Sequence, residues 1–91
     1  MAEISFKPVG AEVVCNTANA NTVSGNGLIK VTNIDTIAHE IRIAYANGTV
    51  FANTTLPANS FFFIQKNYTE LVSSNATTAV VFASPVRRGT I

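Results

Sequence analysis

Apolar and polar residues alternate with a period of two along much of the chain, and helical periodicity is weak throughout. Residues 3–7 set Ile4 and Phe6 against Glu3, Ser5 and Lys7, and Pro8 then interrupts the ladder because it has no N–H. Residues 12–15 resume an extended pattern. Residues 16–27 are polar and Gly-bearing and read as a loop or mobile connection. Residues 28–34 place Ile29 and Val31 on one face of a strand. In residues 37–46, Ile37, His39, Ile41, Ile43 and Tyr45 point one way, which marks a half-buried strand with an inward face. Asn47-Gly48 suits a type I′ turn with φ > 0 at both positions, so residues 49–56 are expected to return antiparallel. After Pro57-Ala58-Asn59 comes the strand 60–66. Its Phe61 and Phe63 face one side and Phe62 and Ile64 the other. A strand apolar on both faces is central, or is covered by another layer or another subunit.

Residues 67–74 break the alternation, and Asn67 or Thr69 is suited to cap one short helical turn. Residues 77–83 read as the last strand, ended by Pro85. The sum is an all-β domain: a small β-sandwich or barrel of six to seven short antiparallel strands, with at most one short helical turn near 67–74. Residues 1–84 form a single β domain. Residues 85–91 form a C-terminal tail that is mobile unless a neighbour holds it, and its removal is expected to leave the fold intact.

Composition changes this picture in one respect. The 91 residues are 47% hydrophobic and only 12% charged, against about 25% charged in an ordinary domain. A domain of this size buries only about 60–65% of its unfolded surface. So few charges on so much surface suggest that part of it is covered in the working state. The net charge of +1, with only Arg87 and Arg88 adjacent among the basic residues, argues against a nucleic-acid footprint. The N-terminus lacks the charged and apolar regions of a signal peptide, and no apolar run reaches membrane-spanning length, so synthesis and maturation in a reducing cytosol are expected.

The chemistry-bearing residues are few. Cys15 is the single cysteine and reads as a small buried hydrophobe. His39 lies on the apolar face of its strand and reads as a hydrogen-bonded strand histidine. With Asp35 it supplies two metal ligands where three or four are normal. The four Glu (Glu3, Glu12, Glu40, Glu70) have no acid–base spacing with either. Gly25-Asn26-Gly27 lacks the Lys-Ser/Thr of a phosphate loop. Four Asn-x-Thr triplets, at Asn47, Asn53, Asn67 and Asn75, are the chance product of an Asn- and Thr-rich chain without a signal peptide. No catalytic, cofactor-binding or metal residue is expected, nor a small-molecule substrate, and the chain does not read as an enzyme. The candidate contact residues are Phe61 and Phe63 on the doubly apolar strand, with Arg87, Arg88 and Ile91 on a tail suited to latch onto a neighbour.

Several segments together are similar to a known group. They are the opening Ile4-Ser5-Phe6-Lys7-Pro8-Val9-Gly10-Ala11-Glu12-Val13-Val14, the strand end Val31-Thr32-Asn33, and the turn Leu56-Pro57-Ala58-Asn59 leading into Phe63-Ile64-Gln65-Lys66. The stretch 66–74, with Thr69-Glu70-Leu71, also fits. With these, most of the chain resembles the small virion structural proteins of tailed bacteriophages, especially marine and cyanobacterial phages. That resemblance implies a β-rich capsid decoration (cement) protein. It would be made in the host cytoplasm and placed on the virion's capsid surface, bound to the major capsid protein and to copies of itself, with no nucleic-acid or membrane partner. The alternative is a tail, fibre or neck-associated component or a host-surface-binding module, although the absence of Trp weakens sugar binding. A cytosolic adhesion or adaptor module is the rival outside the virion.

Overall fold

The computed structural model describes residues 4–90, and their side chains from Phe6 to Gly89. Eight strands form: β1 (Ile4–Pro8), β2 (Val13–Val14), β3 (Leu28–Asn33), β4 (His39–Ala44), β5 (Val50–Leu56), β6 (Ser60–Gln65), β7 (Leu71–Ser74) and β8 (Val81–Thr90). Every pairing is antiparallel. One sheet runs β1-β8-β3-β6, with β2 also on β8; the other runs β5-β4-β7. The all-β sandwich expected from the alternation is present, and no helix occurs among the described residues.

The alternation in β3 and β4 builds the core. Ile29 and Val31 from β3 meet Ile41 from β4, Leu56 from β5, Val72 from β7, and Val81 and Ala83 from β8, all without exposed surface. Ile37 and Tyr45, expected on the same inward row as His39 and Ile41, fall beyond the ends of β4 and are exposed. Ala44 is buried instead, because the register shifts between Ile43 and Ala44 and leaves Phe51 as an extra residue on β5. The hairpin is where Asn-Gly puts it, but its turn differs from type I′. Gly48 N–H donates to the Tyr45 carbonyl (2.8 Å) and Tyr45 N–H to the Thr49 carbonyl (3.0 Å). Of the two turn residues, only Gly48 has positive φ, +92°. Asn47 instead accepts from Thr49 N–H through Oδ1. The longer loop with a left-handed Gly matches the bulge that follows it.

Two further expectations take a definite form, and a third, the free tail, is corrected. The segment 67–74 uses helix-cap chemistry but makes no helix. Asn67 Oδ1 accepts from Thr69 N–H and Glu70 Oε1 accepts from Asn67 N–H, which closes one turn before the chain extends into β7. The doubly apolar strand β6 is an edge strand, not a central one. The segment 85–91 is no free tail. Pro85 is fully buried, and β8 runs through it to Thr90, pairing with β1 from Pro8↔Val86 to Ile4↔Thr90. Ile91 lies outside the described residues. Pro85 fits because its carbonyl accepts from Val9 N–H, while its missing N–H leaves no donor unpaired. Gly10 is required beside it, since a Cβ there would stand 2.7 Å from the Pro85 ring.

The β1–β8 arm curls. In a flat sheet β1 and β6 would stand about 14 Å apart, three strand spacings. The Phe6 and Phe63 ring centroids are 4.1 Å apart. Beyond Pro85 the arm therefore folds over the outer face of its own sheet.

The Asn-rich loop 16–27 is held rather than loose. Cys15, just before it, and Val23, within it, enter the core. Val23, Ser24 and Gly25 are all left-handed, with φ of 56°, 58° and 67°. For a β-branched residue this costs about 1–2 kcal/mol. Two side chains hold it. Asn21 Oδ1 accepts from Val23 N–H (2.7 Å), and Asn26 Nδ2 donates to the Val86 carbonyl of β8 (2.7 Å).

Candidate functional site

Alternation in β6 turns Phe62 and Ile64 inward and leaves Phe61 and Phe63 outside, 56% and 37% exposed. Phe63 stacks on Phe6 of the curled arm at an interplanar angle of 22° and meets Phe61 edge-on, with centroids 6.0 Å apart. On β3, Lys30 lies opposite Phe63 and reaches diagonally, placing Nζ 4.5 Å from the centroid of the Phe61 ring. Arg88 is the register partner of Phe6 and shares its face of the arm. These five residues make one aromatic row with cations beside it. Arg87 pairs in register with Lys7 on the other face of the arm. On that face the Lys7 stem lies across Gly89.

Of the expected contact residues, the structure thus gathers Phe61, Phe63 and Arg88 and turns Arg87 away. It adds Phe6 and Lys30, which the sequence pattern alone did not single out. Phe6 has inward-strand alternation, and only the curl of the arm brings it to Phe63. A second aromatic pair, Tyr45 and Phe51, stacks at 4.3 Å on the β4–β5 hairpin, where the bulge pushes Phe51 out.

Of the other ionisable groups, Cys15, His39 and Asp35 have defined places in the fold. Cys15 is free and buried, and burial pushes its thiol up to about 11, so it stays protonated and unreactive at neutral pH. His39 Nε2 faces Asp35 Oδ2 at 2.8 Å, and Nδ1 faces Asn75 Oδ1 at 3.1 Å. Asn75 Oδ1 also accepts from Glu40 N–H, which fixes it as the oxygen. Both ring nitrogens therefore face acceptors. No group of three or more His, Cys, Asp or Glu could hold a metal among the described residues.

The hydrogen bond from His39, and then that from Thr36 N–H, hold the Asp35 carboxyl below its usual range. A depressed carboxyl stabilises the fold above its unfolded pKa, and that contribution is lost as pH falls through the folded value. In urea titrations across a pH series, wild-type stability is expected to fall below about pH 4. Asp35→Asn is expected to be less stable at neutral pH and flatter through the acid range. Equal acid slopes in the two proteins would remove Asp35 from this role.

No protein-family model matches the chain, and no curated protein or solved structure is significantly similar to it.

Proposed function

We propose that this chain is a structural subunit of a tailed-phage particle, a capsid decoration (cement) protein that docks on the major capsid protein and stabilises the head. The reading draws on the resemblance in strand and turn segments described above. The observation that carries it in the fold is the exposed row Phe6–Phe63–Phe61 with Lys30 and Arg88 beside it. Such a surface suits a partner that is apolar at its centre and acidic at its rim. Clustered aromatics in a dry centre dominate binding energy, and the rim charges set approach and salt dependence. About 800 Å² of apolar contact would supply ~20 kcal/mol gross, before the cost of association. The rings spend their faces on each other and on Lys30, which favours a packed protein contact over base stacking.

The test is co-sedimentation of the purified chain with phage heads stripped of accessory proteins. Phe61→Ser with Phe63→Ser is expected to weaken binding about thirtyfold or more, at ~2 kcal/mol for a buried aromatic anchor, with the circular dichroism spectrum unchanged. Occupancy in the hundreds per particle fits decoration, and a ring-like low copy number moves the chain to the tail or neck. A chain that never co-sediments removes the reading.

A further inference from the structure

We propose that the free edge of β5 is a self-association edge, where a second copy of this chain adds its own β5 antiparallel and joins two three-stranded sheets into one of six. Residues 43–65 contain no charged side chain, a run of 23 that includes β5 and β6 entirely. These strands are the adjoining edges of the two sheets, with an apolar cleft of about 290 Å³ opening between them beside Ile41, Ile43, Phe51 and Ile64. Six of the seven β5 residues are exposed. Natural edge strands are ordinarily guarded by charge, proline or a covering segment. Of the other edges, β6 stands across the cleft from β5, and β7 and β1 are guarded. Asn21 covers β7, exchanging both backbone hydrogen bonds with Val72 (3.0 and 2.8 Å), and β1 carries Lys7 and Pro8.

The hydrogen-bond pattern says which groups β5 offers. Glu40 of β4 turns its N–H and C=O toward Asn75, on the side of β7. Its partner Thr55 is therefore in a non-hydrogen-bonded pair, as is Asn53 opposite Arg42. The N–H and C=O of Asn53 and Thr55 point to the free edge. A two-fold axis through this segment pairs these groups with their own copies.

Charge selects the second copy as occupant. Two-fold pairing brings each residue near its own duplicate, so any charge on the edge would meet a like charge. This edge has none, and the nearest ions, Glu40 and Arg42, neutralise each other at 2.5 Å. Asn and Thr side chains both donate and accept, so they are complementary to themselves. The added strand continues the sheet past β5, on the edge that borders the cleft.

The inference deepens the assembly reading by naming a self-contact. Its test uses the purified full chain without particles, so the two stand or fall separately. Sedimentation velocity across micromolar concentrations is expected to show a reversible dimer, with Asn53 and Thr55 amides protected from hydrogen exchange only in the dimer. Asn53→Pro removes an N–H the monomer fold does not use. It should weaken the dimer about a hundredfold, two hydrogen bonds at about tenfold each. Thr55→Lys leaves the backbone intact, places a cation beside Glu40 in the monomer, and should also yield monomers. A wild-type monomer at all concentrations, a dimer indifferent to both variants, or a dimer with both amides unprotected would overturn the proposal.

Discussion

Replacing Asn33 by alanine is expected to cost about 3 kcal/mol of stability and to lower the melting temperature by about 15 °C. Asn33 is the last residue of β3, on the inward row with Ile29 and Val31, and has no exposed surface. At that point the chain must leave one sheet for the other. Asn33 Nδ2 donates to the carbonyls of Ile37 (2.9 Å), Pro57 (3.2 Å) and Leu56 (3.3 Å), and Oδ1 accepts from Asp35 N–H (2.9 Å). One side chain thus ties the β3–β4 connection to the end of β5. Alanine would leave those groups facing a void, and a buried unmet polar group costs about 1–3 kcal/mol. Domains of this length hold only about 5–14 kcal/mol in total. Asn33→Asp sharpens the test. A carboxylate cannot donate, so it should be worse than alanine at neutral pH. It should recover as pH falls, because the protonated acid donates again and the buried carboxyl has a raised pKa. Thermal unfolding of the three proteins at neutral and acid pH measures this, and a loss below about 1 kcal/mol for alanine would show that water takes over the role.

Deleting residues 85–91 is expected to destroy or nearly destroy the fold. The deletion removes two buried side chains, Pro85 and Val86, worth about 1.5–3 kcal/mol each. It also removes every strand partner of β1, the acceptor of Val9 N–H and one acceptor of Asn26. The total is comparable to the whole stability of such a domain. Arg87→Ser with Arg88→Ser keeps the backbone pairing and should remain folded. Circular dichroism and one-dimensional NMR separate the cases, and a well-dispersed spectrum from the truncated chain would show the arm to be dispensable.

Strands are legible wherever apolar and polar residues alternate, but a pairing is legible only where the partner is near in the chain. The His39–Ile43 alternation with Asn-Gly behind it specified β4, β5 and their pairing, because the turn and the strand pattern agree locally. The doubly apolar β6 was legible as a surface in need of cover, but not as an edge, since that depends on β3 pairing across a long separation. Asn67 and Glu70 carry a genuine cap signal, and the β-branched, serine-rich segment after them decides that one turn is all it closes. The tail was misread for a physical reason. Pro85 stops a ladder only when its N–H side must bond, and here that requirement is absent. The Phe6–Phe63 stack has no signal in sequence spacing, because it arises from the curl of a two-stranded arm. The charge-free run 43–65 has no meaning as a sequence pattern alone, and becomes informative once it is known to lie along two adjacent sheet edges.

The β1–β8 pairing also brings the two ends of the described chain together. Ile4 and Thr90 are register partners, so both ends of the described chain emerge side by side, a strand's width apart. Any flanking polypeptide enters and leaves at one point. Domains with adjoining ends can be spliced into a surface loop of a carrier without pulling it open. A cargo on one end and an anchor on the other would share a single pivot, two residues beyond Phe6 and Arg88 of the aromatic row.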